Sequence, residues 1–324
     1  ALARLAPALA AGGDDLGCLG LACRCLEDLG RHEEAMRMCE RVCRADVAST
    51  YAALREVFRC RAGDVFVATY PRCGTTWMVQ VCTCVLHGAE ADRTRHAVFL
   101  EGAIAASASS LWTVEGLAAP RIIKTHAPAD SHAGLRRRTV DVLQDHGKVI
   151  YVVRNPKDTL VSLRHHHSSH PGIRFEGSWD DWVDGWLRGE RSMEYGGTYF
   201  DHVRGWWHLH RRHPDRVHLV YFEDMKADLA SSVSGVAAFL GREVGAAELA
   251  ASVDRCSFER MREGYQVPED ARGRVNAAHF RAGEAGSWRR ALTAEQARRV
   301  DAETRRQLGV EMSQGLRIHD LGPP

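Results

Sequence analysis

The chain has 324 residues, of which 45% are hydrophobic, and this length suits one large α/β domain with a small appendage. Its 43 basic and 42 acidic residues almost balance, so the composition argues against a general binder of nucleic acid or of membrane surfaces. The sequence shows neither a signal-peptide pattern nor an apolar run of about 18 residues, so we expect a soluble, cytoplasmic protein.

Cysteine usage indicates a reducing compartment. The ten cysteines lack Cys-x-x-Cys spacing, and most lie in helix-favouring segments among small apolar residues. This pattern favours buried, reduced thiols over disulfides or a metal site. We therefore expect no metal ion.

Residues 1–50 are rich in Ala, Leu and Cys, favour helices, and are interrupted at Gly12-Gly13 and Leu29-Gly30. The second interruption, followed five residues later by the small Ala35, resembles one tetratricopeptide repeat. A plain helical hairpin packed on the main domain is the alternative. The sequence thus predicts helices over 1–50, which offer a surface for a protein partner, and a main domain over 51–324.

In the main domain, short apolar runs alternate with helical segments, a pattern typical of a parallel sheet covered on both faces. We predict an α/β fold: a P-loop-like three-layer α/β/α sandwich with a central parallel sheet, plus the small N-terminal all-helical segment. Ligands of such sheets bind beyond the carboxyl ends of the strands. The predicted strands are 65–70, 121–124, 148–153 and 217–222.

The segment Tyr70–Trp77, here called the anion loop, follows the first predicted strand. Gly74 breaks the apolar run, and the cap-type residues Thr75 and Thr76 open an apolar helix. Free backbone N–H groups and the positive end of the helix dipole then converge on one point, to which Arg72 adds a charge. The sequence therefore predicts a phosphate site. It is not a Walker loop, because Thr75 stands where that motif has lysine.

Polar residues also follow the second and third predicted strands. His126 comes two residues after Lys124, and this placement beside a separate phosphate loop predicts a general base, although a lone histidine is more often structural. Arg154 follows the next strand directly, and Ser162 lies on the helix that comes after it, so guanidinium and hydroxyl can bind a second phosphate. A surface ion pair between Arg154 and Asp158 is the alternative.

Together these stretches resemble the cytosolic sulfotransferases over about residues 60–300. The anion loop matches their 5′-phosphosulfate loop, Tyr-Pro-Lys-Ser-Gly-Thr-Thr-Trp, except at Arg72 and Cys73. The resemblance makes 51–324 a sulfotransferase domain. It implies transfer of a sulfonate group from 3′-phosphoadenosine-5′-phosphosulfate (PAPS) to a hydroxyl or amine of a small-molecule acceptor. The displacement would be in-line, with no metal ion.

The same resemblance implies roles for individual residues. His126 would be the general base, and Arg72 and Lys124 would stabilise the leaving oxygen; Phe99 would line the acceptor pocket with His126. Phe222 replaces a tyrosine of the family, and Ala282 replaces a lysine. The residues implied in donor binding are Arg72, Cys73, Gly74, Thr75, Thr76, Trp77, Arg154, Ser162, Phe222, Cys256, Phe258, Met261, Phe280, Arg281 and Gly283.

Two further patterns lie between the third and fourth strands. Five tryptophans at helical spacings, from Trp179 to Trp207, predict core first and acceptor-pocket wall second. The consecutive histidines 165–167 have no Cys or carboxylate cluster beside them, which predicts a loop near the acceptor entrance and no metal. The family's dimer segment ends here in Arg298 where a glutamate is expected, so the oligomeric state stays open.

Three other functions remain open at this point. The changes at Arg72, Phe222 and Ala282 are compatible with a non-catalytic relative that binds the nucleotide. A P-loop kinase is the second, although Arg154 stands at the strand end where an Asp would hold magnesium. The third is a scaffold that acts through the N-terminal helices.

Overall fold

The computed structural model describes residues 60–100, 116–129, 147–169, 174–191, 197–264 and 283–315. The helical hairpin predicted over 1–50, with its resemblance to a tetratricopeptide repeat, lies outside the described residues. So do Phe280 and Arg281, two of the residues implied in donor binding.

A five-stranded parallel sheet with the order β2-β3-β1-β4-β5 forms the centre of the described chain. Its strands are β1 (Val65–Thr69), β2 (Ala97–Phe99), β3 (Ile122–Thr125), β4 (Lys148–Val153) and β5 (Val217–Tyr221). Four of these were predicted to within one residue at each end. The edge strand β2 was not predicted, because three half-buried residues carry too short a pattern.

Helices connect the strands and cover the sheet. In chain order they are α1 (Thr75–His87), α2 (Arg93–His96), α3 (Pro156–Ser169), α4 (Trp179–Leu187), α5 (Tyr199–Arg212), α6 (Phe222–Ala227), α7 (Leu229–Leu240), α8 (Ala246–Arg255), α9 (Phe258–Glu263) and α10 (Ala294–Gly315, interrupted at Gly309), with a 3-10 helix at Ser287–Arg290. None of the described helices is both long and apolar enough to cross a lipid bilayer.

Two hydrophobic cores lie on opposite faces of the sheet, because successive strand residues alternate between faces. Phe66 and Ala68 of β1 share a core with aromatic side chains of α4 and α5. Val65 and Val67 share the other core with α1 and α7. The predicted three-layer α/β/α sandwich with a central parallel sheet is confirmed.

The tryptophan pattern is confirmed as core. Trp182, Trp186 and Trp206 are fully buried in the first core, and Trp179 and Trp207 pack at its margin. Capping boxes begin both helices that carry these residues, at Ser178 for α4 and at Thr198 for α5.

The loop predicted for the three consecutive histidines is wrong. Helix α3 continues through Ser169 and carries His165, His166 and His167 in its last turns. No Pro or Gly occurs between Pro156 and Pro171, so helical hydrogen bonding continues through this polar stretch. His167 is buried against Trp182, with ring centroids 5.1 Å apart.

The cysteines of the described chain are free thiols. All five are buried, which agrees with the expectation of reduced, structural cysteines. They are Cys60, Cys73, Cys82, Cys84 and Cys256.

Candidate active site

Three of the predicted site segments begin at one edge of the sheet. Strand β1 pairs with β3 on one side and with β4 on the other, so Ala68 lies opposite both Thr125 and Tyr151. The carboxyl ends of the three strands are therefore adjacent. Open parallel sheets bind ligands at this edge.

The anion loop turns sharply from β1 into α1. Gly74 caps the helix with φ +102°, and Arg72 also has a positive φ, of +71°. A Cβ atom at position 74 would lie 2.8 Å from the ring of Phe222, so the turn requires glycine. Gly74 offers no side-chain cap, and the first turn of α1 holds no acidic residue, so the N–H groups of this turn can bind an anion.

The structure brings Arg72, Ser162 and Arg154 together. The Nε of Arg72 donates to Ser162 Oγ at 3.3 Å. The Nη1 of Arg154 donates to the carbonyl oxygen of Arg72 at 3.1 Å. Arg72, implied at the 5′-phosphosulfate, therefore contacts both residues implied at the 3′-phosphate: Ser162 through its side chain and Arg154 through its backbone carbonyl.

Arg154 retains donors for an anion. Its Nη2 donates to the carbonyl oxygen of Glu284 at 3.1 Å, and its guanidinium carbon lies 4.1 Å from the Phe222 ring centroid. A guanidinium has five N–H groups. The Nε of Arg154 is buried and has no hydrogen-bond partner among the described residues. A buried cation with an unused donor fits a phosphate.

His126 is held in one tautomer. Its Nδ1 lies 2.8 Å from the carbonyl oxygen of Thr69 and 3.2 Å from the Thr69 hydroxyl. A carbonyl can only accept, so in the neutral ring Nδ1 carries the proton and Nε2 carries the lone pair. The Thr69 hydroxyl is also 2.6 Å from that of Thr75, so Thr69 links the base to the anion loop.

Lys124 and Phe99 form the surroundings of His126. The Lys124 ammonium lies 4.4 Å from the Phe99 ring centroid, and the Phe99 and His126 rings meet edge to face at 5.3 Å. Burial, and then the charge of Lys124, lower the pKa of His126 well below 6.5. The imidazole is therefore neutral at pH 7, the form that accepts a proton.

The residues implied at the adenine come together around Lys226. Its Nζ lies 5.8 Å from the ring centroid of Trp77 and 5.9 Å from that of Phe258. The Trp77 Nε1 donates to the carbonyl oxygen of Cys256 at 2.7 Å, which ties α1 to the segment before α9. A Cβ atom at Gly283 would lie 2.4 Å from the Phe258 ring, so only glycine allows the backbone to approach this ring so closely.

Other residues implied in donor binding support the site by packing. Phe222 and Met261 are buried, and Phe222 contacts Trp77 edge to face at 5.5 Å. Burial raises the pKa of the Cys73 thiol to about 12, and its Sγ lies 3.5 Å from Thr159 Oγ1. Cys73 is therefore a protonated thiol at neutral pH and not a nucleophile.

Asp158 does not form the surface ion pair that was the alternative for this segment. Asp158 and Arg154 are both buried. The carboxylate is directed instead at residues 283–288, here called the glycine loop. It accepts hydrogen bonds from Gly286 N at 2.6 Å, Ser287 Oγ at 3.0 Å and Trp288 N at 3.0 Å.

Sequence reasoning missed four residues that hold the site. They are Thr69 and three buried side chains of α5, namely Tyr199, His202 and Trp206. Each of the three donates to a backbone carbonyl of a site segment. Their helical spacing was visible in the sequence, but it predicts only a buried face and not what that face contacts.

The part of the chain that the structure describes contains no group of three or more His, Cys, Asp or Glu side chains placed to hold a metal ion. Positive charge comes instead from Arg72, Lys124 and Arg154 at the strand ends. Together with the N-terminus of α1, these cations suit a ligand that carries several negative charges.

The fold and the site define an α/β protein of the class that binds a phosphorylated ligand at the carboxyl ends of its strands. A family model described as "Sulfotransferase domain" matches residues 62–311. The chain therefore belongs to the sulfotransferase family. This confirms the predicted class of enzyme, a PAPS-dependent sulfotransferase.

Individual sulfotransferases are also similar to this chain. Sulfotransferase 1A1 of Rattus norvegicus is 30% identical over 253 residues, which cover 74% of this chain and 82% of the rat protein. Sulfotransferase 6B1 of Homo sapiens is 29% identical over 257 residues, 78% of each chain. The crystal structure of mouse sulfotransferase SULT7A1 complexed with PAP superposes with a TM-score of 0.67 at 26% identity, covering 83% of this chain and 93% of the mouse chain.

Proposed function

We propose that this chain transfers a sulfonate group from PAPS to a hydroxyl or amine of a small-molecule acceptor, with His126 as the general base. The observation that carries the proposal is a neutral His126, in a defined tautomer, joined through Thr69 to an anion loop. When bound, PAPS supplies the sulfonate group, whose displacement leaves negative charge on the bridging oxygen.

The residues fit an adenosine nucleotide with two anionic ends. The N-terminus of α1 and Arg72 would bind the 5′ end, as helix N-termini commonly bind phosphate. The unused Nε of Arg154 and the Ser162 hydroxyl, on two residues that both contact Arg72, would bind the 3′-phosphate. The product nucleotide, PAP, is the ligand in the mouse structure, which supports this assignment. Arg281 remains a prediction for the same phosphate.

The adenine would lie between Trp77 and Phe258, since both rings face the ammonium of Lys226. An aromatic ring on either side of a base contributes stacking over a large apolar area. Gly283 would keep the Phe258 ring in place, because any side chain there would displace it.

His126 would take the acceptor's proton on Nε2. The ring then becomes a cation that still donates from Nδ1 to the Thr69 carbonyl, so this bond orients the base before and after the transfer. General base catalysis of this kind is typically worth about 10²–10⁴-fold in rate. Phe99 contacts the same ring and would form one wall of the acceptor pocket.

Lys124 and Arg72 would stabilise the negative charge that grows on the leaving oxygen. Both charges also lower the pKa of His126 in the free protein. An anionic donor in the site offsets these positive charges, and the basicity of His126 then rises. Donor binding would therefore prepare the base for the acceptor's proton.

An assay with labelled PAPS over a library of hydroxyl and amine acceptors tests the proposal. His126→Ala should lower kcat at least a hundredfold, roughly the contribution of a general base, and should leave PAP affinity nearly unchanged. His210→Ala is the matched control, because His210 also donates to a carbonyl, that of Val217 at 2.7 Å, outside the candidate site. Unchanged turnover in the His126 variant would contradict the assignment of the base.

A non-catalytic relative that binds PAP is the second candidate. Arg72 and Phe222 depart from the family pattern, and the Phe222 ring fills space against position 74. PAP binding without sulfonate transfer to any acceptor in the library would favour this candidate over the enzyme.

We assign the catalytic unit to residues 51–324 and a reducing compartment, such as the cytoplasm, to the protein. The buried free thiols support that compartment. For residues 1–50 we propose a helical hairpin that binds a protein partner, which a pull-down with the full chain and with a chain lacking residues 1–50 would test.

A further inference from the structure

One face of α5 contacts the backbone of both halves of the site. Tyr199, His202 and Trp206 occupy positions i, i+3 and i+7 of this helix, and all three are buried. Tyr199 Oη donates to the carbonyl oxygen of Arg154 at 2.6 Å. His202 Nε2 bonds the carbonyl oxygen of His126 at 3.1 Å, and Trp206 Nε1 donates to that of Ala127 at 3.2 Å.

These three carbonyls belong to chain segments that have just left the sheet. His126 and Ala127 follow the last residue of β3, and Arg154 follows the last residue of β4. Beyond the strand ends no sheet partner pairs with the backbone, so its conformation depends on other donors. In the described structure, side chains of a single helix supply them.

We propose that this face of α5 is a positioning element for sulfonate transfer, in which His202 and Trp206 fix the backbone that carries the base and Tyr199 fixes the backbone that carries Arg154. The inference rests on the proposed function, since it takes His126 as the base and Arg154 as a donor-binding residue. Beyond the proposed function, it states that one helix holds both His126 and Arg154 in position.

The orientation of His202 is fixed by Tyr151. Because a carbonyl can only accept, Nε2 of His202 carries the proton that bonds His126. Nδ1 is then an acceptor, and the Tyr151 hydroxyl lies 3.0 Å from it. Tyr151 belongs to β4 and stacks on both His202 and Trp206, each at 5.6 Å between ring centroids. The support for the base loop is thus anchored in the sheet.

Burial also keeps His202 neutral, lowering its pKa to about 4. The ring therefore holds one tautomer at neutral pH, with its single N–H directed at the carbonyl of His126. A second histidine in this state would add nothing to proton transfer, but it can define where the first one lies.

The position of the base matters because a misplacement of about 1 Å can cost about 10²-fold in rate. Loss of the His202 bond should lower kcat and spare the donor KM. Loss of the Tyr199 bond should raise the donor KM, because Arg154 binds the donor. Substitutions at His202 and Tyr199, on the same helix, should therefore have different effects: the first on kcat and the second on the donor KM.

The test uses full-length variants in a labelled-PAPS assay. We expect His202→Leu to lower kcat roughly tenfold or more with the donor KM unchanged, and Tyr199→Phe to raise the donor KM roughly tenfold with kcat nearly unchanged. His202→Gln should recover part of the lost kcat, because an amide N–H can still donate.

Trp182 provides a matched control for Trp206. Both are fully buried, and Trp182 Nε1 donates to the Leu160 carbonyl within α3 at 3.1 Å. Trp182→Phe and Trp206→Phe should lower the melting temperature similarly, whereas only Trp206→Phe should lower kcat. Equal kinetics in these two variants, or no rescue by His202→Gln, would overturn the inference.

A readout without turnover separates this inference from the proposed function. In protein labelled with ¹⁵N-histidine, the His126 ring should be protonated at Nδ1, and His202→Leu should disturb that signal while His202→Gln preserves it. If the wild-type chain transferred no sulfonate, the proposed function would fail and this signal would still decide whether α5 positions His126. A His126 signal that His202→Leu leaves unchanged would overturn the positioning role.

Discussion

At Arg72 the backbone has a φ of +71°, a left-handed conformation that costs a non-glycine residue on the order of 1–3 kcal/mol. The surrounding contacts compensate for this strain. The carbonyl of Arg72 accepts from Arg154, and its guanidinium bonds Ser162. The long guanidinium side chain of Arg72 thereby reaches Ser162, a residue proposed to bind the 3′-phosphate.

Arg72→Lys should retain or raise turnover. Lysine keeps the charge, matches the family pattern, and follows a single oxygen more easily than a planar guanidinium does. Steady-state kcat with saturating PAPS checks this, and Arg72→Ala, which removes the charge, should lower kcat at least tenfold as a comparison. Loss of activity in the lysine variant would show that Arg72 does not have the role assigned to it.

Lys124→Met should shift the acid limb of the pH profile of kcat/KM upward. Burial and the charge of Lys124 lower the pKa of His126 below 6.5, so the wild-type limb should lie below pH 6.5. Removing the charge removes one of these causes, and the pKa of His126 in the free enzyme rises. The profile is measured from pH 4.5 to 8. An acid limb at the same pH in both proteins would show that Lys124 does not affect the pKa of the general base.

The candidate catalytic and donor-binding residues could be predicted from the sequence because each lies in a short motif next to a strand end. Lys124 and His126 lie at the end of β3 and Arg154 follows β4, and the resemblance of these motifs to those of the family implied their roles. The partners of these residues could not be predicted. The bond from Arg154 to Glu284 joins positions 130 residues apart, and neither local propensity nor spacing reports such contacts.

At the scale of elements, short strands and polar helix ends were the least predictable. Strand β2 has three residues, too few for an alternating pattern. The polar end of α3 was interpreted as a loop, because its charge and histidine content hid a helix that has no break before Pro171. Helix α5 was predicted as core, but its proposed positioning role depends on which backbone carbonyls it contacts, and the sequence does not show these contacts.

The glycine loop is attached to α3 through one carboxylate. Asp158, in the first turn of α3, accepts three hydrogen bonds from this loop, and Arg154 donates to the loop at Glu284. The same segment approaches Phe258 through Gly283. The 3′-phosphate side and the adenine side of the proposed donor site therefore depend on Asp158.

Asp158→Asn should weaken donor binding. The amide group of Asn turns one acceptor into a donor that faces N–H groups, and hydrogen bonds to a charged group are worth about 1.5–3 kcal/mol. We expect PAP affinity to fall about tenfold or more, measured by calorimetry, with the pH profile of kcat unchanged.

Asp181→Asn is the matched control for this variant. Asp181 is the acidic partner in the capping box of α4, where it accepts from Ser178. Its replacement should cost little stability, because Asp181 is fully exposed and the Ser178 cap remains, and should leave PAP affinity unchanged. Equal PAP affinities in the two variants would show that the glycine loop does not depend on Asp158 for donor binding.

At the scale of the whole molecule, the buried histidines His126 and His202 link folding to pH. Burial lowers the pKa of His126 well below 6.5 and that of His202 to about 4. Both rings take up protons less readily in the folded protein than in the unfolded chain. Between about pH 4 and 6.5 the unfolded state therefore binds more protons, and the free energy of unfolding falls as the pH falls.

His202→Gln isolates the contribution of His202 to this dependence. Each proton taken up on unfolding changes the free energy of unfolding by about 1.4 kcal/mol per pH unit. Urea unfolding measured between pH 4.5 and 7 should therefore show a shallower loss of stability in the variant, by up to one proton. Burial raises the pKa of Glu223, which opposes the histidines, but this contribution is common to both proteins and cancels in the comparison. Parallel curves would mean that His202 is protonated equally in the folded and unfolded states. This result would contradict a His202 that stays neutral in the folded protein and donates its single N–H to the carbonyl of His126.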